Sequence, residues 1–369
     1  MGPFSQLHSR HKQVVVGLVV VFLFVGALLY FNPAVLTDGT GASPHSRGLK
    51  DSPLEAHLRY PLQQAYHKYK PSSTHYSITI VADMDKASKT DDKKWRSTLK
   101  SGTLTRNPET KKYTIAWDSE MDVTSVFNDG SRGMELSELA YFNEQLLTFD
   151  DRTGIVYFVE GEKVIPKHIL MDGNGHIDKG LKIEWATVKD SHLYVGSTGK
   201  EWTTGKGEFV NNNPQWIAKI DAEGRIERID WGQHYTALRK ETNTLFPGYL
   251  LHEGIRWNAA LRRWFFLPRR VSTDPYDEAL DESRGSDTVI SMNEQFADIR
   301  ISHVGVNEPT HGFSTFQFVP FREHEVVALK TEEHQDKIST YIMVFDLEGR
   351  VLLEETLVGN VKFEGIEFL

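Results

Sequence analysis

Glu138-Leu-Ala-Tyr-Phe142, Gln145-Leu-Leu-Thr-Phe149, Gly154-Ile-Val-Tyr-Phe-Val159 and Lys163-Val-Ile-Pro166 follow one another with only short polar connections between them. Apolar, β-branched and aromatic runs of this length, cut by turn residues, predict four antiparallel strands joined by tight hairpins. The pattern returns along the chain. A second set is Trp185-Ala-Thr-Val188, His192-Leu-Tyr-Val195, Trp216-Ile-Ala-Lys-Ile220 and Arg225-Ile-Glu-Arg-Ile229. A third is Ile255-Arg-Trp257, Arg263-Trp-Phe-Phe-Leu267, Asp287-Thr-Val-Ile-Ser291 and Asp298-Ile-Arg-Ile301. A fourth is Thr315-Phe-Gln-Phe318, Glu325-Val-Val-Ala-Leu329, Thr340-Tyr-Ile-Met-Val-Phe345 and Val351-Leu-Leu-Glu354. Repeats of roughly 40 to 50 residues suggest propeller blades.

Two pieces are left over: an N-terminal group of three strands beginning near Tyr76, and the lone C-terminal run Gly365-Ile-Glu-Phe-Leu369. Together they complete one more set. The expected fold over residues 75–369 is therefore all-β, a five-bladed β-propeller of four-stranded blades closed by the C-terminal strand. Such closure removes the open sheet edges that invite aggregation. A β-sandwich competes, but its strands need not group in fours.

Aligning the sets exposes a second regularity at the entry to each innermost strand. Gly133-Met-Glu-Leu-Ser137, Leu181-Lys-Ile-Glu184, Tyr249-Leu-Leu-His-Glu253, His311-Gly-Phe-Ser314 and Val361-Lys-Phe-Glu364 each end in an oxygen-bearing side chain. In a propeller these strand starts line the central channel, so Ser137, Glu184, Glu253, Ser314 and Glu364 converge on its axis. A lone Ser or Glu at a strand start more often just faces solvent; five at equivalent positions make a ring. Three carboxylates on one axis repel unless a proton or a cation joins them. Hard oxygen donors of this kind suit Ca²⁺, which takes about six to eight of them.

Other motifs are weaker. Asp83-Met-Asp85 begins like an EF-hand, but Ser88 and Lys94 stand where Gly and Glu are needed, and Asp172-Gly-Asn174 fails in the same way. The 15 histidines show no zinc spacing. Phosphate-loop, dinucleotide and nucleophile-elbow sequences are absent. Metal-assisted hydrolysis, with a carboxylate to orient or deprotonate water, fits better than covalent catalysis.

The chain has 369 residues, 39% hydrophobic and 25% charged, with a net charge of −9. That balance argues against nucleic acid as a partner. Val14–Phe31 is an uncharged run, preceded by Arg10 and Lys12, with no further charge before Asp38. As a helix it spans about 27 Å, enough for a bilayer core. The expected layout is a cytoplasmic tail (1–13), a transmembrane signal-anchor helix (14–31), a stalk or linker (32–74) with one short helix around Leu54–Tyr69, and the β domain. Cleavage near Gly39–Ser43 is the alternative. Cysteine is absent, so a domain beyond the membrane relies on its core, its topology or a metal.

These residues together resemble the calcium-activated nucleotidase (soluble apyrase) family. The matching stretches are Ile80-Val-Ala-Asp-Met-Asp85, Arg132-Gly-Met-Glu-Leu-Ser137, Asp150-Asp-Arg-Thr-Gly154, Gly199-Lys-Glu-Trp-Thr-Thr204, Pro247-Gly-Tyr-Leu-Leu-His-Glu253, Arg263-Trp-Phe-Phe-Leu-Pro-Arg-Arg270, Pro309-Thr-His-Gly-Phe-Ser314 and Phe363-Glu-Gly-Ile-Glu-Phe368. The resemblance spans His75–Leu369. It implies one central Ca²⁺ on the five ring residues and Ca²⁺-dependent hydrolysis of nucleoside diphosphates such as UDP, GDP and ADP, and of some triphosphates. Asp83 is the first choice for the base, with Asp85, Glu135 and Asp151 sharing the role. Arg152, Lys200, Arg269 and Arg270 are the phosphate candidates, and Trp202 the stacking partner for the base. Glu138 and Gly254-Ile-Arg256 depart from the pattern beside ring residues. The resemblance further implies a lumenal domain in Golgi or endoplasmic reticulum, or secretion after cleavage, and permits a calcium-linked homodimer. A calcium-dependent lactonase and a membrane-anchored, non-catalytic binding propeller are the competing functions.

Overall fold

Strands follow the turn signals closely. The computed structural model describes residues 68–90, 92–335 and 337–369. The tail, the anchor and the stalk up to residue 67 lie outside the described residues, and so does most of the short helix expected around Leu54–Tyr69. Among the described residues no helix is long and apolar enough to cross a membrane.

The first set of strands is β1 (His75–Asp83), β2 (Trp95–Arg106) and β3 (Tyr113–Ser125), completed on the β1 side by the chain's last strand, β22 (Lys362–Phe368). The second is β4 (Leu136–Phe142), β5 (Gln145–Asp150), β6 (Ile155–Glu160) and β7 (Lys163–Ile169). A single parallel pair, Thr124 with Lys163, joins these two sets into one eight-stranded sheet. The third is β8 (Trp185–Lys189), β9 (His192–Gly196), β12 (Trp216–Ile220) and β13 (Ile226–Asp230), with a small hairpin, β10 (Trp202–Thr203) and β11 (Phe209–Asn211), inserted. The fourth is β14 (Tyr249–Asn258), β15 (Arg263–Ser272), β16 (Thr288–Asn293) and β17 (Arg300–His303). The fifth is β18 (His311–Val319), β19 (Arg322–His334), β20 (Lys337–Asp346) and β21 (Val351–Gly359).

Turn chemistry sets the hairpins. Asn143 and Glu144, between β4 and β5, both have positive φ (48° and 63°), as do Asp190 and Ser191 between β8 and β9. Two consecutive left-handed residues match the twist of the flanking strands, which favours this turn in two-residue hairpins. The sequence reading also misses α1 (Gly232–Glu241), which follows β13 and buries Tyr235, Leu238 and Arg239.

Five apolar clusters hold the sets together, each between two neighbours. Val81, Leu99, Leu139 and Tyr157 pack between the first and second sets, and Phe149, Leu193 and Ile220 between the second and third. Trp185, Trp257 and Phe266 lie between the third and fourth, and Phe265, Phe316 and Phe345 between the fourth and fifth. Ile80, Leu329 and Phe368 close the circuit from fifth back to first. The innermost strands touch in the same cyclic order, β4 to β8 to β14 to β18 to β22 and back to β4. Burial tracks radius: β4 is buried almost throughout, whereas β17 is exposed along its whole length.

The middle of the ring is polar. Glu138 pairs with Arg256 at 2.8 Å and accepts from Thr315 Oγ1, so the two departures noted in the sequence are partners of each other. Glu367 accepts from Gln317 Nε2 at 3.2 Å and from the Tyr141 N–H at 3.3 Å. Burial pushes the Glu367 carboxyl up from 4.5 to about 7, although Arg256 opposes this. The native state therefore keeps a proton that the unfolded chain releases. Its stabilising contribution is complete below pH 4.5 and is lost as pH rises through about 7. Glu367→Gln removes this dependence. Urea unfolding between about pH 5 and 8 should show the wild type losing on the order of 3 kcal/mol relative to the variant. Parallel pH profiles would contradict the assignment.

Candidate active site

The ring residues sit at faults in the ladder. Ser137 is skipped in the β4–β5 register, where Leu136 faces Asp150 and Glu138 faces Phe149. Glu253 is skipped between His252 and Gly254, Ser314 between Phe313 and Thr315, and Glu364 between Phe363 and Gly365. Each is the extra residue of a β-bulge, a device that re-aims a side chain. Glu184 arrives at the same place differently, just before β8: its N–H donates to the carbonyl of Gly196, the residue paired with Trp185 in the ladder. The sequence reading placed all five ahead of their strands; four lie inside them, bulged out of the ladder.

The two serines are spent on backbone. Ser137 Oγ donates to Ile183 O at 2.5 Å, and Ser314 Oγ to Phe363 O at 3.2 Å. In both cases the acceptor immediately precedes the next ring glutamate, so each serine ties one inner strand to its neighbour. The three glutamates converge. Arg269 Nη1 lies 2.6 Å from Glu253 and 3.1 Å from Glu364, while its Nη2 reaches Glu333 at 3.2 Å. Burial first, and then the charge of Glu253, raises the proton affinity of Glu184 and of Glu364. Lys182 and Lys362 oppose that rise for one glutamate each.

A second carboxylate group stands beside the ring. Asp83, Glu135 and Asp151 place ligand-type oxygens within 4.8 Å of one another. Asp83 ends β1 and pairs as an isolated bridge with Glu135, whose carbonyl accepts the Asp151 N–H at 2.9 Å. Asp151 is presented by the turn that follows β5. Asp150, fully buried, organises that turn by accepting from the N–H groups of Met134, Arg152 and Thr153, and burial lifts its own carboxyl to about 7. Gly154 closes it at φ +72°, where a Cβ would lie 2.3 Å from Leu170 O. Asp85, at φ +45°, stays outside the trio and is held by Arg132 and Lys362.

Two lysines join these groups. Lys182 Nζ lies 2.5 Å from both Asp151 and Glu184. Lys362 Nζ lies 2.5 Å from Asp83, 3.1 Å from Asp85, 3.3 Å from Glu333 and 3.6 Å from Glu364. In all, eight carboxylates (Asp83, Asp85, Glu135, Asp151, Glu184, Glu253, Glu333 and Glu364) share Arg132, Lys182, Arg269 and Lys362. Six of the eight are buried, all but Asp85 and Glu333, and two anions per cation is a deficit that a divalent ion fits. The donor set at the ring is all oxygen, as Ca²⁺ requires. Asp151 Oδ1 is buried without a hydrogen-bond partner, a further oxygen available to a ligand.

A cavity of about 340 Å³ opens onto the ring. Glu184, Glu253, Glu364, Lys182 and Lys362 form its inner wall, and Lys200, Trp202, Arg269, Arg270 and Tyr276 stand around it. Lys200 Nζ donates to Thr203 Oγ1 at 2.8 Å and sits 4.3 Å above the Tyr276 ring; burial lowers its pKa to about 8. Arg239 in α1 holds Glu201 at 2.6 Å and so fixes the loop carrying Lys200 and Trp202. One face of Trp202 is covered by Lys179 Nζ at 4.2 Å. Arg270 is buried, with no hydrogen bond at Nε. Arg152 is placed elsewhere: it pairs with Asp129 at 2.8 Å and does not line the cavity. Sequence reasoning missed Lys182, Lys362, Glu333 and Arg132; the first two stand two residues before ring glutamates, a repeat that alignment of the sets could have exposed.

Comparison with known proteins places this architecture. Residues 84–369 match the Apyrase family. The chain is 43% identical to the soluble calcium-activated nucleotidase 1 of Rattus norvegicus, across 95% of this chain and 89% of the rat protein. It is 40% identical to an apyrase of Cimex lectularius (96% and 95% covered) and 41% identical to the apyrase apy-1 of Caenorhabditis elegans (86% and 91% covered). The matched region contains every ring and cavity residue described above, and on that similarity the chain belongs to the apyrase family.

Proposed function

We propose that this protein is a Ca²⁺-dependent hydrolase of nucleoside diphosphates, UDP, GDP and ADP among them, and of some triphosphates, working on a five-bladed β-propeller. The observation that carries the reading is the surplus of buried carboxylates at the ring, facing a cavity lined by Lys200, Trp202 and Arg270. Bound at Glu184, Glu253 and Glu364 with the neighbouring oxygens, Ca²⁺ would supply charge neutralisation for phosphate oxygens.

The chain's own residues do the rest. Lys200 and Arg270 take the phosphate oxygens, and Trp202 offers an aromatic surface for the base. Arg269, engaged by three carboxylates, supports a role as holder of the ring more than as a free phosphate ligand. For the proton from attacking water, the unpartnered Oδ1 supports Asp151 ahead of Asp83. Asp83 already accepts from the Asp85 N–H at 2.8 Å and from Lys362. Burial raises the proton affinity of Asp151, Lys182 opposes that rise, and the negative charge of Asp83 adds to it. The apolar run Val14–Phe31 supports a membrane-anchored, lumenal placement.

The test is phosphate release by the purified chain from a nucleotide panel, with millimolar Ca²⁺ and with EGTA. Release confined to the Ca²⁺ arm is expected. Nucleotide binding without turnover in either arm would favour the non-catalytic reading.

A further inference from the structure

The connection from β15 to β16 forms the outer wall of the cavity and carries a short helix, α2 (Glu278–Asp281). Neighbouring segments clasp it. Glu278 N–H donates to Gly205 O at 3.3 Å, Lys206 reaches Asp277 at 3.4 Å, and the Gln335 N–H donates to Glu282 at 3.3 Å. Asp281, at the end of this helix, points inward. Its Oδ1 accepts from the Tyr249 hydroxyl, which in turn accepts from Arg284 Nη1 at 3.0 Å. Its Oδ2 lies 3.7 Å from Arg270 Nε, too long for a hydrogen bond, and that nitrogen has no other partner. The same carboxylate acts electrostatically on Lys200 and on Tyr276, over which Lys200 sits.

A buried guanidinium ordinarily takes a carboxylate at hydrogen-bond distance, two-pronged where it can. Here the carboxylate is held back by Tyr249, close enough to neutralise Arg270 but not to saturate it. We propose that Asp281 is a built-in competitor at the phosphate subsite: its charge occupies the field of Arg270 and Lys200, and an incoming phosphate must take those cations from it. The inference rests on the proposed phosphate role of Arg270 and Lys200. Asp281 thereby sets affinity for anions: phosphate gains full access to the two cations only by outcompeting a fixed carboxylate, so weakly charged anions are excluded.

Asp281→Asn keeps the shape and the Tyr249 contact while removing the charge. Titration calorimetry of the full chain with a non-hydrolysable α,β-methylene ADP analogue, at fixed Ca²⁺, reads the effect. The expected result is a Kd lower by about fivefold in the variant, a gap that narrows as salt is raised. KM for ADP should fall with it. Asp281→Ser, a smaller side chain, must move Kd the same way, which guards against a folding artefact in either variant. Glu278→Gln, on the same wall but without contact to Arg270, should change Kd less. A wild type that binds the analogue, with folded Asp281 variants binding it no more tightly, overturns the inference alone. Failure of every form to bind overturns it together with the proposed function.

Discussion

Asp151→Asn should lower kcat for nucleotide hydrolysis by about 100-fold or more, with a smaller change in KM. Asparagine fills the same space at the turn after β5 but neither carries charge nor accepts the proton of attacking water. The Asp150-centred hydrogen bonds and the tight approach at Gly154 build the turn independently of this side chain. The loss should therefore appear in turnover, not in folding, and steady-state kinetics beside a thermal melt separates the two. Asp83→Asn makes the informative comparison. If Asp83 only sustains the basicity of its neighbour, its replacement costs less turnover than that of Asp151. The reverse order would return the base to Asp83.

Arg269→Ala should be the most destabilising substitution at the site. Arg269 is 5% exposed, and its guanidinium touches Glu253, Glu333 and Glu364. Removing it leaves three carboxylates with fewer counter-charges in a region already short of them. Breaking a buried pair from one side costs about 3–5 kcal/mol. Added Ca²⁺ should recover part of that loss, because a cation at the ring replaces some of the missing charge. Urea denaturation with and without Ca²⁺ measures both quantities. A variant as stable as wild type in EGTA would mean that the glutamates are neutral or solvated and that Arg269 does not hold them.

Strand order was legible in the sequence because hairpin chemistry is local: two to four turn residues between apolar runs specify an antiparallel neighbour. The split first set was legible too, since β22 supplies the strand that β1 to β3 lack. The ring positions were found, but the reason they converge was not. A β-bulge leaves no mark in composition; Ser314 reads like any residue of an apolar strand until the ladder shows Phe313 and Thr315 on consecutive partners. Charge partners were the harder loss. Lys182 and Lys362 look like ordinary surface lysines in the sequence, and only the cyclic packing brings Lys362 to Asp83, 279 positions away by number. Helix α1 was missed for a different reason. Its buried residues, Tyr235, Leu238 and Arg239, span little more than one turn, too few for helical periodicity to stand out. Arg152 shows a different case, a motif residue that pairs with Asp129 and does not line the cavity.

The most direct measurement is phosphate release from ADP and UDP as a function of free Ca²⁺, for wild type and Glu253→Gln side by side. Glu253 sits between the other two ring glutamates in charge and bonds Arg269 at 2.6 Å, so its loss should weaken the cation site without touching Asp83 or Asp151. The expected result is no release in EGTA for either protein and a Ca²⁺ curve for the variant displaced to higher concentration by about tenfold or more. Release that persists in EGTA, or superimposable curves for the two proteins, would contradict a catalytic calcium ion on the bulged ring.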